Sequence, residues 1–218
     1  MELAYIIDIL SGLMLLTSLI FLTQKGLPAC INLYMLQSLF LASVLGVIAF
    51  GMHETHLYVG AAITLIVKVI LIPGMFYWIM KKIDITREVQ FYVNTSASLI
   101  IAGALTLFSF IITRRIGDLA QGPAVSETAI TLSLAMLLIG FFIMISRTQA
   151  LSQMLGLLII ENGLFLLASV ATFGIPLMLE IGISFDVLVA LLIMGIFVFK
   201  INQTFRHINV TKLQKNKE

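Results

Sequence analysis

Residues 151–173 read LSQMLGLLIIENGLFLLASVATF, an apolar run long enough to cross a bilayer with a carboxylate, Glu161, as its eleventh residue. A membrane-crossing helix needs about 20 consecutive apolar residues. A charged group near the bilayer centre costs roughly 2.5–3.5 kcal/mol on insertion scales, so it seldom persists there without a role or a partner. The run therefore assigns a class, an integral membrane protein, and marks one position as chemically special.

The remainder of the chain has the same character. Of 218 residues, 60% are hydrophobic and only 11% charged, with mean hydropathy +1.10. Soluble domains carry about a quarter charged residues. We read an all-α, polytopic protein of about seven transmembrane helices over 4–23, 27–50, 58–80, 92–113, 127–146, 151–173 and 178–200. The segments between these spans are too short for a soluble catalytic or nucleotide-binding domain.

Charge fixes the expected orientation. Loops on one side carry Lys25, Lys81, Lys82, Arg87, Arg147, Lys200, Arg206, Lys212, Lys215 and Lys217, whereas the other side has only Arg114 and Arg115. The positive-inside rule places the C-terminus in the cytoplasm and the N-terminus outside. The first apolar run lacks the basic start of a secretory signal, being preceded by Glu2 and containing Asp8.

The longest polar stretch between spans, RRIGDLAQGPAVSE, divides the chain. Residues 1–113 form an expected four-helix unit, 114–127 a connecting loop, 128–203 a three-helix unit, and 204–218 a basic cytoplasmic tail that contacts lipid headgroups. In the cytoplasmic connector KKIDITRE, Asp84 or Thr86 is the expected N-cap of the fourth helix. No internal repeat is visible, and seven spans do not divide into two equal inverted halves.

Two further ionisable residues lie at about the depth of Glu161: Lys68 in the third span and Asp186 in the seventh. At about 1.5 Å rise per residue the three fall near one plane. Left unpaired in lipid they would cost about 8 kcal/mol together, so they should face protein or internal water. Poorly hydrated carboxylates and lysines titrate closer to neutral pH than exposed ones. Glu161, Lys68 and Asp186 are thus candidates for a proton relay, and the competing reading is a static charge pair. Asp186 also fits as an interfacial anchor, if its span begins later.

Pro73, five residues after Lys68, should kink the third span, because proline lacks a backbone donor and clashes with the carbonyl of Val69. On the sixth span, at about 100° per residue, Ser152, Gly156 and Gly163 fall within roughly 40° of one another and about opposite Glu161. One face is a candidate close-packed helix seam, the other presents the carboxylate.

Several chemistries find no residues. His53 and His56 are three apart in GMHETH, and the zinc-protease pattern needs four with a glutamate between. His207 falls on the opposite side of the membrane, so no histidine pair can clamp a haem inside it. The single cysteine, Cys30, permits no intrachain disulfide and no iron–sulfur cluster. The 11 methionines and 15 phenylalanines are read as packing and lipid-facing material. The chain has no P-loop, no nucleophile elbow and no feature that suggests a nucleic-acid partner. We expect no metal, no catalytic residue and no cofactor in this chain.

GLLIIEN at 156–162, with the turn at Arg147 before it, resembles the small three-helix K-type subunit of respiratory complex I and its relatives in multisubunit cation/proton antiporters. With TLIVKVILIP at 64–73 and IGISFDVLVALLIMGIFVFKI at 181–201, the whole chain is similar to the hydrogenase-4 component E family. That resemblance implies a subunit of the membrane arm of a group 4 hydrogenase, formate hydrogenlyase-like or complex I-like assembly in the inner membrane of a prokaryote. It implies antiporter-like and H-type membrane subunits and a soluble oxidoreductase module as partners. Proton or sodium translocation would pass through buried charges, and redox chemistry would belong to other subunits. The chain departs from the K-type pattern at Leu158 and Leu191, where that pattern has glutamates, and Glu161 lies three residues beyond the first of these. A stand-alone secondary transporter and a structural adaptor without its own relay are the alternative readings.

Overall fold

The computed structural model describes residues 2–52, 55–83, 92–117, 127–172 and 195. These residues form helices and no strand. The helices are α1 (Glu2–Thr23), α2 (Leu27–Met52), α3 (Thr55–Thr64), α4 (Ile72–Ile83), α5 (Thr95–Gly117), α6 (Glu127–Ser146) and α7 (Ala150–Thr172), with a π-helical stretch, Leu65–Leu71, joining α3 to α4. Six stretches among them are long and apolar enough to cross a membrane: Leu3–Thr23, Leu27–Gly51, Tyr58–Lys81, Thr95–Arg115, Glu127–Ser146 and Ala150–Ala171. These bounds fall within a few residues of the first six expected spans. The seventh expected span, 178–200, lies outside the described residues except for Gly195, as does the tail. Gly195 lies so close to α4 that an added Cβ would meet the Ile79 side chain at 2.7 Å.

Apart from α4, the helices are apolar on all faces, so polar side chains must be satisfied locally. Ser11, Ser18, Thr106, Ser109 and Thr113 each donate their hydroxyl to the carbonyl four residues earlier on their own helix. In hydrocarbon, where no water competes, this back-bonding keeps hydroxyls inside a span at little cost. The N-cap of α5 is Asn94, whose Oδ1 accepts from the backbone N–H of Ala97 at 2.8 Å. This corrects the expectation of Asp84 or Thr86. The helix begins at Thr95, so the cap must come from the residue immediately before it.

Two antiparallel hairpins, α1–α2 and α6–α7, pack together, α1 on α6 and α2 on α7. The third span (α3, the π-helix and α4) rests on α2, and α5 lies against α6 and α1. The core joins Phe21 and Leu22 of α1 to Tyr34 and Leu41 of α2, Ile143 of α6 and Leu155 of α7. α7 is the central helix: 72% of its membrane window is buried within the protein, against 17% for α5. The helix carrying Glu161 is therefore enclosed, and lipid is left to residues such as Ile70, Ile100 and Ile145.

Candidate functional site

The third span is irregular just before its proline. Over Leu65–Leu71 the backbone is π-helical, and the Ile72 N–H donates to the Val67 carbonyl, five residues back. Pro73 follows at once. Proline supplies no N–H and its ring would collide with the carbonyl four residues earlier, and a widened turn accommodates both. π-bulges occur often at functional positions. Lys68 is the middle residue of this one and is fully buried.

The Lys68 ammonium lies 2.8 Å from Oε1 of Glu161, which is itself 4% exposed. It also donates to Oδ1 of Asn162 at 3.1 Å and sits over the Phe165 ring, 4.1 Å from the centroid. An ammonium has three N–H groups. A carboxylate, an amide oxygen and an aromatic face receive it here, and each favours the positive charge. Ion pairs out of water repay their desolvation only when such additional contacts complete them.

The polar contacts continue away from the pair. Asn162 Nδ2 donates to Gln37 Oε1 at 3.2 Å and to Ser38 Oγ at 3.1 Å. Gln37 Nε2 donates in turn to Ser18 Oγ at 2.7 Å and to the Met14 carbonyl at 3.2 Å. A continuous buried chain thus runs from Glu161 on α7, through the third span and α2, to α1. Tyr34, one turn before Ser38, is fully buried and within electrostatic reach of Glu161. Oε2 of Glu161 has no hydrogen-bond partner among the described residues.

Gly156 and Gly163 lie on the face of α7 that meets α6. An added Cβ at Gly156 would come within 3.0 Å of Ile143 and of the Met144 backbone, and one at Gly163 within 3.2 Å of the Leu137 and Ser133 backbones. Gly140 on α6 is equally tight against Ile160 and the Gly156 carbonyl. Ser152 is fully buried. This contact holds α7 close to α6 and directs Glu161 and Asn162 away from it, towards α2 and the third span. Asp186 lies outside the described residues.

The sequence reading missed four participants: Asn162, Gln37, Ser38 and Ser18. Gln37-Ser38 in the middle of an apolar span was a visible signal, as was an amide next to Glu161. Arg147 also differs from its expected place as a loop cation. It is 1% exposed, and its guanidinium donates to the Phe21 carbonyl at 2.9 Å and the Gln24 carbonyl at 3.3 Å, 5.5 Å from the Phe21 ring. A cation there caps the C-terminal carbonyls of α1 and meets the negative end of its dipole. Burial pulls the group down to about 10, so it stays charged at neutral pH. The contact also shows that the α1–α2 and α6–α7 turns share one end of the bundle.

Among the described residues no cluster of three or more metal-binding side chains occurs. No family model and no solved structure matches the chain. Curated proteins do. The uncharacterised protein Rv0085 of Mycobacterium tuberculosis (strain ATCC 25618 / H37Rv) is 28% identical over 215 residues, 96% of this chain and 95% of the relative. Hydrogenase-4 component E of Escherichia coli (strain K12) is 27% identical over 209 residues, 95% of each chain, and the Shigella flexneri protein of the same name matches equally. The similarity is not confined to the last helices but spans nearly the full length, and the chain is a homologue of the hydrogenase-4 component E proteins.

Proposed function

We propose that this chain is a membrane subunit of a hydrogenase-type complex and contributes to the movement of protons, or sodium ions, through the Lys68–Glu161 pair. The observation that carries the reading is the position of that pair. A lysine and a glutamate from two different spans meet in the buried interior of the described helices. Full-length similarity to hydrogenase-4 component E supports the assignment to a complex. Such a subunit would sit beside other membrane subunits, of antiporter-like and H-type character, and a soluble oxidoreductase module in a prokaryotic inner membrane. Asp186 would extend the relay from the seventh span. Electron transfer would belong to the partners.

Neither oxygen of Glu161 has a hydrogen-bond partner among the described residues; Oε1 is ion-paired with Lys68 and Oε2 is not. A carboxylate so placed can accept a proton on the second oxygen while the ammonium compensates its charged form. Alternation between these states is what a relay requires. The test is Glu161→Gln in the intact complex, which keeps the side-chain volume and removes the titration. Ion translocation should fall at least tenfold at normal assembly levels; undiminished translocation refutes the relay.

A purely structural reading is favoured by one observation, the threefold engagement of Lys68, which would also suit a static tether. Under that reading Glu161→Ala would impair assembly whereas Glu161→Gln would transport normally. Gentle extraction and identification of the co-purifying subunits tests the assignment to a complex, and ion flux by the chain alone in liposomes would favour a stand-alone transporter.

A further inference from the structure

We propose that Asn162 is a positioning residue: backed by Gln37 and Ser38, it fixes the Lys68 ammonium on Glu161 and closes the α1 side of the pair to proton exchange. Three observations carry this. Asn162 receives Lys68 on its oxygen at 3.1 Å and spends its nitrogen on Gln37 and Ser38, so both ends of the amide are committed. Gln37 is anchored beyond it by Ser18 and the Met14 carbonyl. Asn162 is also fully buried, so no water competes for these bonds.

The chemistry of the two groups then sets direction. A carboxylic acid or an ammonium gives up a proton readily, but an amide nitrogen donates without ionising near neutral pH. A proton that reached Lys68 would find no titratable acceptor through Asn162 and Gln37. The route towards α1 is therefore closed to proton exchange, and the Glu161 oxygen that Lys68 does not hold is left open to it.

On the elements packed around the pair, the titratable groups whose side chains are described are Cys30 and Tyr34 on α2, Tyr5 and Asp8 on α1, Glu127 on α6, Tyr58 on α3, and Tyr77 and Lys81 on α4. Of these, Tyr34 is within electrostatic reach of Glu161. A change at Asn162 should therefore be read through Lys68 and Glu161, with Tyr34 as background.

The biological meaning of this clamp rests on the proposed relay, but its test does not. The full chain in lipid nanodiscs is titrated by infrared spectroscopy, and the Glu161 carboxyl band is identified by its loss in Glu161→Gln. Asn162→Ala should raise the pH of half-protonation by about one unit, a tenfold change in proton affinity, because the ammonium is no longer held against the carboxylate. Gln37→Leu, which keeps the Lys68–Asn162 bond, should move it the same way by less. In a Lys68→Met background the Asn162 effect should vanish, because the residue acts through the lysine. An unchanged midpoint in Asn162→Ala overturns the proposal, and so does a shift of equal size with and without Lys68. If Asn162→Ala does not fold, the Gln37→Leu midpoint decides: a shift supports the clamp and no shift overturns it. Normal translocation by Glu161→Gln would remove the relay and leave these outcomes as they stand.

Discussion

At the scale of single residues, the buried pair makes an asymmetric prediction. Lys68 and Glu161 are 0% and 5% exposed at the side chain. Removing one partner leaves a charge with no counterpart, which costs about 3–5 kcal/mol, whereas replacing both with apolar groups of similar size is often close to neutral. Lys68→Met should therefore lower the midpoint of thermal unfolding in detergent sharply, and Lys68→Met/Glu161→Leu should recover most of the loss. A double variant as unstable as the single one would show that the pair stabilises the bundle by itself. Much at this scale was legible in the chain: ionisable residues within apolar runs stand out because each is costly there. The amides were not legible, because asparagine and glutamine also occur in membrane helices as simple packing contacts. Their role depends on what lies opposite them.

At the scale of the element, two features distinguish this bundle. The α6–α7 contact depends on glycine, because backbone atoms approach where a side chain would stand. Gly163→Val should destabilise by about 1–3 kcal/mol, since the atoms it would meet at 3.2 Å are backbone and cannot move aside. Gly103→Ala, with nothing within 4 Å of its Cβ position, should be tolerated or slightly stabilising. Thermal melts of the two variants side by side check the contrast. The second feature is the π-turn before Pro73. Pro73→Ala restores the missing donor and removes the ring, so the stretch can return to α-helical register. One residue of register corresponds to about 100° of rotation, which would swing Lys68 away from Glu161. The variant should insert normally and yet behave like Lys68→Met in the infrared titration. The proline itself pointed to an irregularity; that it takes the form of a widened turn centred on the lysine required the folded backbone.

At the scale of the whole molecule, the arrangement is two hairpins face to face, with α7 enclosed and α5 largely exposed. The Arg147 contact with the end of α1 places two turns at the same end, which is the pattern that the distribution of basic loops implies. Orientation in the membrane follows as a prediction. In a Cys30→Ser background, a cysteine at the exposed position 25 should resist a membrane-impermeant thiol reagent in intact cells, and one at the exposed position 115 should react. The reverse pattern would invert the topology. The exposed apolar side chains of α5, including Leu107, Phe108, Phe110 and Ile111, are where lipid or another membrane subunit would contact the chain.

The sequence by itself determined the class, the six described spans to within a few residues, and the depth of Lys68 and Glu161 within theirs. Hydropathy is a local property, and depth follows from counting residues along a helix whose rise is constant. What only the tertiary structure decided is which groups meet: that Lys68 reaches Glu161 and bonds to Asn162, 94 positions away in the chain, and that Arg147 turns inward to cap α1. Neighbour choice depends on the rotation of each helix about its axis. In lipid that rotation is set by close packing of small residues and by the need to satisfy polar groups, and both are properties of helix pairs rather than of any one run of residues.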